Sequence, residues 1–184
     1  MSAKNVLYLF IISLMIVGCS KSVDSIQKQK VINELDNAPT WVKSPHLPLY
    51  ISEVGKSNNI DSEFITQRDE AIEDAKANLS HKIQTKLITI FSLIGKKDLQ
   101  EDGFAQKIED AHNLLVSNAI NESRVMKLWK SSKSNLYIMV CSDTQKIKND
   151  LHNIINTSFK DHPSIASQYR LYLEQGKIDL ALNN

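Results

Sequence analysis

A stripe of apolar residues between Ile72 and Ile94 most strongly limits how this chain can fold. Its members recur every three or four residues and so share one helical face: Ile72, Ala75, Leu79, Ile83, Leu87, Ile90 and Ile94. We expect the helix to follow an N-cap at Asp61 or Ser62 and to stop at Gly95 in left-handed geometry. Roughly thirty-two residues at ~1.5 Å each give a helix about 48 Å long. No ordinary strand covers that length, so the far end must pack against another helix or a partner.

The segments beside this helix predict a mixed fold. A first strand is expected at Leu49–Gly55, and a second amphipathic helix at 104–121 is expected to fold back on the first. The apolar period then changes to two, which predicts strands at 124–129 and 136–141. The short loop between these two strands makes them an antiparallel hairpin.

The C-terminal part of the chain is expected to be helical. Asp143 is a candidate N-cap for a helix with the apolar stripe Ile147, Leu151, Ile154 or Ile155, and Phe159. Two short helices, at 165–173 and 177–182, follow and are separated at Gly176. The order of elements predicts an α+β fold, with a small three-stranded, antiparallel-containing sheet (β-α-α-β-β) packed by long amphipathic helices and extra C-terminal helices. Such a small sheet leaves at least one edge strand exposed or paired with another copy.

The balance of charge argues against a nucleic-acid partner. The chain has 184 residues, of which 22 are basic and 21 acidic. Residues 1–18 contain one charged side chain, Lys4, so the chain that follows carries 21 of each sign and is neutral. Proteins that bind nucleic acids concentrate positive charge in a patch or stripe.

No residue pattern indicates catalysis. The histidines are scattered, without the spacing to a second histidine or a cysteine that a metal site needs: His46, His81, His112, His152 and His162. Glu70, Glu73 and Asp74 are neighbouring carboxylates, but lysines follow on the same helix, so a charged outer face explains them. Phosphate-binding loops and nucleophile motifs do not occur. We therefore expect no enzyme, no catalytic residue, no metal site and no cofactor.

Several side chains allow two interpretations. Trp129 is either an exposed anchor for a partner or part of the core, and core packing is favoured. The small residues Ala71, Ala75 and Ala77 either form a self-assembly face or let the helix approach its own sheet closely, which is favoured. Cys141 lies in an apolar run and is expected to be a small buried hydrophobe.

The N-terminus carries a short apolar run from Val6 to Val17, preceded by Lys4. About twelve residues span ~18 Å as a helix, which is too short for a bilayer core of ~30 Å. The run is typical of a cleaved secretory signal. Nothing after Val17 offers a charge-free stretch of about eighteen residues that could span a membrane.

The end of this run, Ile16-Val17-Gly18-Cys19, resembles the lipobox of bacterial lipoproteins. The resemblance implies cleavage before Cys19, a diacylglyceryl group on its sulfur and acylation of the new N-terminus. Several acyl chains on one residue would hold the protein on a membrane, whereas one chain binds only marginally. Ser20, in place of an aspartate, favours the outer membrane by resemblance to lipoprotein sorting. The alternative is an ordinary signal peptide in which Cys19 is coincidental.

These features predict four regions. Residues 1–18 are the signal peptide, and 19–37 are the lipidated cysteine and a polar tether. Residues 38–159 form the α+β periplasmic domain, which begins at Ala-Pro-x-Trp-Val, and 160–184 form a C-terminal helical extension. With Cys19 modified, Cys141 has no cysteine left for an intramolecular disulfide.

A wider resemblance involves four features of this domain. They are the entry segment Ala38-Pro39-Thr40-Trp41-Val42, a strand ending in Gly55, the Ala-rich helix segment 69–79 and the hairpin ending at Cys141, and together they are similar to the Lpp-twenty type of outer-membrane lipoproteins. That family includes the twenty-kilodalton lipoprotein of Helicobacter and lipoproteins of flagellar basal disks. The resemblance covers about residues 38–151, and the tail from Lys160 to Asn184 has no counterpart in it. It implies a compact anchored domain that often forms multimers at the cell envelope.

The expected function is a structural or protein-binding role at the outer membrane, with the domain facing the periplasm or, alternatively, the cell surface. The partners would be the membrane, through the lipid on Cys19, and other envelope proteins or further copies of the chain. A motility role follows only from the family resemblance. Two alternatives stay open: a carrier with an apolar groove between the two long helices, and a regulator of a cell-wall enzyme.

Overall fold

A computed structural model describes residues 33–58, 61–95 and 103–183. The predicted signal peptide, its cleavage motif and Cys19 lie outside these residues. The described chain is an α+β unit, as predicted, with six helices and three strands. The elements are α1 (Thr40–Lys43), β1 (Tyr50–Lys56), α2 (Phe64–Ile94), α3 (Phe104–Asn121), β2 (Arg124–Lys130), β3 (Leu136–Asp143), α4 (Thr144–Ser158), α5 (Pro163–Glu174) and α6 (Lys177–Asn183).

The three strands form one antiparallel sheet in the order β1-β3-β2. The central strand β3 is buried from Leu136 to Ser142. One face of the sheet, with Leu136, Ile138 and Val140, belongs to the main hydrophobic core under the helices. The predicted β2–β3 hairpin is therefore confirmed, and each strand extends slightly beyond its predicted end.

The first strand begins one residue later than expected. Leu49 has a φ of 69° and is 73 % exposed, so its side chain does not join the inner face of β1. Its carbonyl accepts hydrogen bonds from the Thr144 amide (3.1 Å) and hydroxyl (2.9 Å). These bonds hold Leu49 in a turn, which removes it from the strand.

Helix α2 contains the predicted apolar stripe and stops at Gly95 as predicted, but the predicted N-cap and the left-handed geometry expected at Gly95 are wrong. Its N-cap is Glu63, whose carbonyl accepts the first helical hydrogen bond from the Gln67 amide at 3.0 Å. Gly95 ends the helix in right-handed geometry, with a φ of −91°. A Cβ there would lie 2.9 Å from the Phe91 carbonyl oxygen and 3.2 Å from Ile108 Cδ1. The space at Gly95 is thus limited by the last turn of α2 itself and, less tightly, by Ile108 of α3, and the residue is not in a left-handed turn.

The near half of α2 lies directly on β1. A Cβ on Gly55 would lie within 2.1 Å of the Ala75 amide nitrogen and 2.3 Å of the Ala71 carbonyl oxygen. Ala71 and Ala75 are fully buried, whereas Ala77 is exposed. The prediction that the small residues allow α2 to approach its own sheet is confirmed for Ala71 and Ala75.

The far half of α2 packs against helices of the same chain. Phe91 lies 6.3 Å from Phe159 between ring centroids, and Phe104 of α3 lies 5.9 Å from the same ring. The N-terminus of α4 is capped as predicted, since Asp143 Oδ1 accepts hydrogen bonds from the amides of Gln145 and Lys146.

The last two helices complete the same core. Ile165 and Tyr169 of α5 and Ile178 and Leu182 of α6 are buried in the cluster that contains the α2 stripe. The two helices separate at Gly176, as predicted, where a φ of 67° favours glycine. None of the helices in the three described segments combines the length and apolarity needed to cross a bilayer.

The compact unit begins at Glu34, within the segment predicted as a tether. The Glu34 carboxylate accepts hydrogen bonds from Asn135 Nδ2 (2.6 Å) and Ser131 Oγ (2.8 Å) in the β2–β3 loop. Lys56 Nζ at the end of β1 lies 3.4 Å away. Glu34 therefore ties the incoming chain to one end of the sheet.

Candidate functional site

The residues predicted to carry the lipid anchor cannot be located in the fold. Cys19 and the cleavage motif Ile16, Val17 and Gly18 lie outside the described residues. Within residues 33–58, 61–95 and 103–183, no three histidine, cysteine or carboxylate side chains lie close enough together to hold a metal ion.

The cysteine of the central strand is buried and unreactive. Cys141 is 3 % exposed, and it packs in β3 opposite Ser52 of β1. Burial raises the pKa of its thiol to about 11, although a hydrogen bond with Ser52 and the charge of Lys127 act in the opposite direction. Because the thiolate is the nucleophile, this thiol is unreactive near neutral pH. The prediction of a small buried hydrophobe is confirmed.

The neighbouring carboxylates of α2 have a structural role that the sequence did not reveal. Asp74 Oδ2 accepts a hydrogen bond from the Lys56 amide at 2.8 Å. Glu70 Oε2 accepts one from the Ser57 hydroxyl at 3.1 Å. Both residues therefore fasten the end of β1 to the helix.

Helix α2 closes the outer edge of β1 along its length. Asn78 Nδ2 donates to the Val54 carbonyl at 3.0 Å, and Lys82 Nζ donates to the Ser52 carbonyl at 3.1 Å. Together with the bond from the Lys56 amide to Asp74, these contacts satisfy three backbone groups on the side of β1 that faces away from β3. Covering an edge with a helix prevents the pairing of another strand there.

The edge of β2 is open. No other strand of the described chain pairs with it on the side away from β3. Val125, Met126 and Leu128 are 45 %, 44 % and 47 % exposed. Such neighbouring apolar side chains on a free edge are a surface that a partner could cover.

The same strand is strongly basic. Its polar side chains are Arg124, Lys127 and Lys130, all exposed, and it contains no carboxylate. The register shifts between Val125 and Lys127, which marks a β-bulge at Met126. Bulges and lysines on an edge oppose uncontrolled pairing. Antiparallel pairing of two β2 strands would also bring their basic side chains together.

Trp129 joins this edge to the outer face of the sheet. It is half-buried, with its ring centroid 5.3 Å from that of Tyr137 on β3. It therefore packs on its own sheet and still leaves part of its ring accessible, so neither interpretation of Trp129 describes it fully.

Tyr137 connects in turn to the Glu34 carboxylate. Burial raises the pKa of Tyr137 to about 12, and its hydrogen bond with Glu34 and the charge there act in the same direction. For Glu34, burial would raise the pKa, but hydrogen bonds from Asn135, Ser131 and Tyr137 and the charge of Lys56 lower it to about 2. The carboxylate is therefore ionised at neutral pH and holds its donors in place.

Two grooves run beside α2. The predicted one, between α2 and α3, is a depression of about 360 Å³ lined by Ile88, Phe91, Ser92, Ala105, Ile108, Glu109 and His112. The larger one lies between α2 and α6 and has a volume of about 910 Å³. Lys82, Lys86, Leu93, Lys177 and Leu180 are among its lining residues. Ligand sites commonly have volumes of ~300–1,000 Å³.

Sequence reasoning predicted an exposed edge strand without identifying it as β2, and it missed the groove beside α6. The alternation in β2 predicted a strand but not its edge position, which depends on the pairing of β1 with β3. Lys86 carried a local signal, because it is adjacent to Leu87 of the apolar stripe and one turn from Ile83 and Ile90. A lysine at that position on the helix has to lie at the border of the core.

Comparison of the chain with protein-family models, with curated proteins and with solved structures gave no match.

Proposed function

We propose that this protein is a lipid-anchored lipoprotein of the bacterial outer membrane and that its domain binds a partner protein through the open edge of β2. The domain faces the periplasm, and the cell surface is the alternative. The role is structural or adaptor-like and not enzymatic. The single observation that carries the docking part is the contrast between the closed edge of β1 and the open edge of β2.

The anchor part of the proposal rests on sequence. Ile16-Val17-Gly18-Cys19 matches the lipobox pattern after a short apolar run, and Ser20 favours the outer membrane. The resemblance of residues 38–151 to Lpp-twenty lipoproteins supports the same location. Acylation at Cys19 would attach the domain to the membrane surface without a spanning helix.

The chemistry of β2 favours an acidic partner. A strand that adds to an open edge gains main-chain hydrogen bonds, while its side chains supply specificity. Arg124, Lys127 and Lys130 would attract carboxylates on that strand, and Val125 and Leu128 would cover its apolar side chains. Repulsion between like charges favours a different envelope protein over a second copy of this chain at this edge.

Metabolic labelling tests the anchor. Cells expressing the natural chain or Cys19→Ser are fed a palmitate analogue, and their membranes are then separated. We expect label in the outer-membrane fraction for the natural chain and none for Cys19→Ser. An unlabelled natural chain, or label that persists in the variant, contradicts the proposed anchor.

Site-specific crosslinking tests the docking surface. A photoreactive amino acid replaces Met126 in β2 or, as the control, the exposed Asn153 in α4. We expect one protein adduct from position 126 that is absent from position 153. The double change Lys127→Glu and Lys130→Glu should abolish it, whereas Lys160→Glu should not. Adducts to lipid alone would identify β2 as a membrane contact, and an adduct that survives charge reversal would contradict an acidic partner.

Narrower roles can be separated by further readouts. If the partner belongs to the flagellar envelope structures, deletion of the gene should impair swimming. Normal swimming after the deletion would contradict a motility role. If the protein regulates a cell-wall enzyme, the adduct from position 126 should contain that enzyme. Co-purification of a ligand with the chain would instead favour a carrier.

A further inference from the structure

One wall of the groove between α2 and α6 is formed by residues that lie outside the range of the family resemblance. Lys177, Leu180 and Ala181 of α6 form one side, and the α2 residues from Asn78 to Leu93 form the other. Along α2 these residues span about 22 Å at ~1.5 Å each. Helix α6 lies in the C-terminal tail, so this groove is a feature of this chain's own extension.

A buried lysine lies at the base of the groove. Lys86 is 8 % exposed and lines both the groove and a small adjoining cavity of about 60 Å³. Its ammonium group has three donors. Within the described residues it donates one hydrogen bond, at 3.4 Å, to the Ala181 carbonyl in the last turn of α6. The C-terminal carbonyls of a helix carry partial negative charge, which offsets only part of the free-energy cost of burying the Lys86 ammonium group.

Other charges around Lys86 leave the groove positive. Lys82 Nζ is occupied by Glu53, 2.7 Å away, and by the Ser52 carbonyl. Lys177 Nζ lies over the ring of Tyr172, 4.7 Å from its centroid. Within the described residues, no carboxylate oxygen lies within 4.0 Å of Lys86 Nζ, and Glu53 is the sole acidic residue lining the groove. Burial and the charge of Lys82 both lower the pKa of Lys86.

The rest of the lining is apolar. Leu180 is 60 % exposed and Leu93 is 36 % exposed, and both face a groove whose accessible surface is mostly nonpolar. Leu93 follows Lys86 by two helical turns, or about 10 Å along α2. An anion bound by Lys86 could thus extend an apolar chain along Leu180 and Leu93.

We infer that the groove between α2 and α6 binds a long-chain fatty acid, with its carboxylate at Lys86 and its acyl chain along Leu180 and Leu93. A carboxylate matches the single charge of Lys86, because Lys82 is paired with Glu53 and Lys177 lies over the ring of Tyr172. A phosphate monoester carries about −1.5 to −2 charges near neutral pH and would need a second cation, so Lys177 would have to leave the Tyr172 ring to contribute. Bringing a carboxylate to a buried ammonium forms a charge-assisted hydrogen bond, which is stronger than a neutral one.

Photolabelling of the full chain tests this inference. The protein is placed in phosphatidylcholine nanodiscs with a diazirine analogue of palmitate, and the labelled peptides are identified by mass spectrometry. We expect label on peptides containing residues 78–93 and 177–181. Unlabelled palmitate should compete at least tenfold better than monopalmitoylglycerol, which has the same tail and a neutral head, and acetate should not compete.

Two pairs of variants distinguish the groove from unspecific labelling. Lys86→Met should reduce labelling about tenfold, whereas Lys76→Met, on the same helix outside the groove, should not. Leu180→Asp places a negative charge at an exposed groove position and should reduce labelling similarly, with Leu171→Asp on exposed α5 surface as its control. Circular dichroism confirms that each variant is folded.

Three results would overturn the inference. The first is label distributed outside the groove, or unchanged in both Lys86→Met and Leu180→Asp. The second is competition by monopalmitoylglycerol as strong as that by palmitate, which would show that Lys86 does not bind a carboxylate. The third is stronger competition by palmitoyl lysophosphatidic acid than by palmitate, which would assign the site to a phosphate head group. None of these results bears on docking at β2, which is tested separately.

Discussion

The Asn78 side chain donates a hydrogen bond to the backbone carbonyl of Val54 at 3.0 Å, and in doing so a helix residue takes the place of a neighbouring strand. Asp74 and Lys82, one turn away on either side, bond to Lys56 and Ser52 in the same way. The 31-residue α2 is therefore both the main core element and the cover of one sheet edge. The edge of β2 remains available because no helix of the described chain lies along it in this manner.

Opening the covered edge should weaken the fold. The double change Asp74→Ala and Asn78→Ala removes two bonds to β1 and should lower the free energy of unfolding by about 2 kcal/mol, at ~1 kcal/mol for each bond. Urea denaturation followed by circular dichroism measures this change. Asp69→Ala is the control, because Asp69 is largely exposed and its 3.9 Å contact with Arg68 is long. A double variant as stable as the natural chain would show that the edge bonds contribute little.

The close approach of α2 to β1 makes position 75 intolerant of larger side chains. Ala75→Leu should lower the free energy of unfolding by about 3 kcal/mol, because Ala75 is fully buried and its backbone lies against Gly55. Ala77→Leu, two residues away on the exposed side, should change it by less than about 0.5 kcal/mol. Thermal denaturation of both variants provides the comparison. Similar melting temperatures would contradict the packing of α2 on the sheet.

The carboxylate of Glu34 should make stability depend on acid pH. Its pKa is lowered from 4.5 to about 2, so the stabilisation is present above pH 4.5 and is lost as the pH falls through 2. We expect Glu34→Gln to cost roughly 2 kcal/mol at pH 7, after allowance for solvent screening. The difference from the natural chain should shrink between pH 4.5 and 2, as measured by urea denaturation.

Glu174→Gln is the matched control for this titration, because Glu174 is exposed at the end of α5. Its free energy of unfolding should equal that of the natural chain at every pH. A constant difference between Glu34→Gln and the natural chain from pH 7 to pH 2 would mean that the carboxylate contributes through shape and not through charge.

Removal of the buried charge at Lys86 should stabilise the protein without ligand. Because the pKa of Lys86 is lowered from 10.5, the folded state releases the proton first, and stability rises with pH from the lowered pKa up to 10.5. Lys86→Met should add about 1 kcal/mol at pH 7, since an apolar residue of similar volume avoids burial of the charge. The gain should shrink as the pH approaches 10.5.

Differential scanning calorimetry at pH 7 and pH 10 measures this effect, with Lys76→Met as the control. Loss of stability in Lys86→Met at pH 7 would show instead that the bond to the Ala181 carbonyl outweighs the cost of burial. At a saturating concentration of fatty acid, the natural chain should become more stable than Lys86→Met, because the ligand stabilises only the chain that retains Lys86.

Local patterns in the chain were sufficient to predict most of the elements. The stripe from Ile72 to Ile94 identified α2, the change to a period of two identified the hairpin, and Asp143 identified the start of α4. These features depend on neighbours within one or two turns. The start of α2 at Glu63 and the right-handed geometry of Gly95 did not follow, because Asp61 and Ser62 offered local capping signals that the chain does not use and because Gly95 packs near Ile108 of another helix.

The lipobox-like segment Ile16-Val17-Gly18-Cys19, the α+β class and the amphipathic helices can all be recognised from residue order, because side-chain periodicity and short motifs act over a few residues of chain. Which edge of the sheet stays open, and where the groove with Lys86 forms, cannot be derived in that way. The former requires Asn78 to meet Val54, and the latter requires α6 to return beside α2, 95 residues further along the chain from Lys86 to Ala181. Such contacts arise only when distant segments share one core, so tertiary packing settles them.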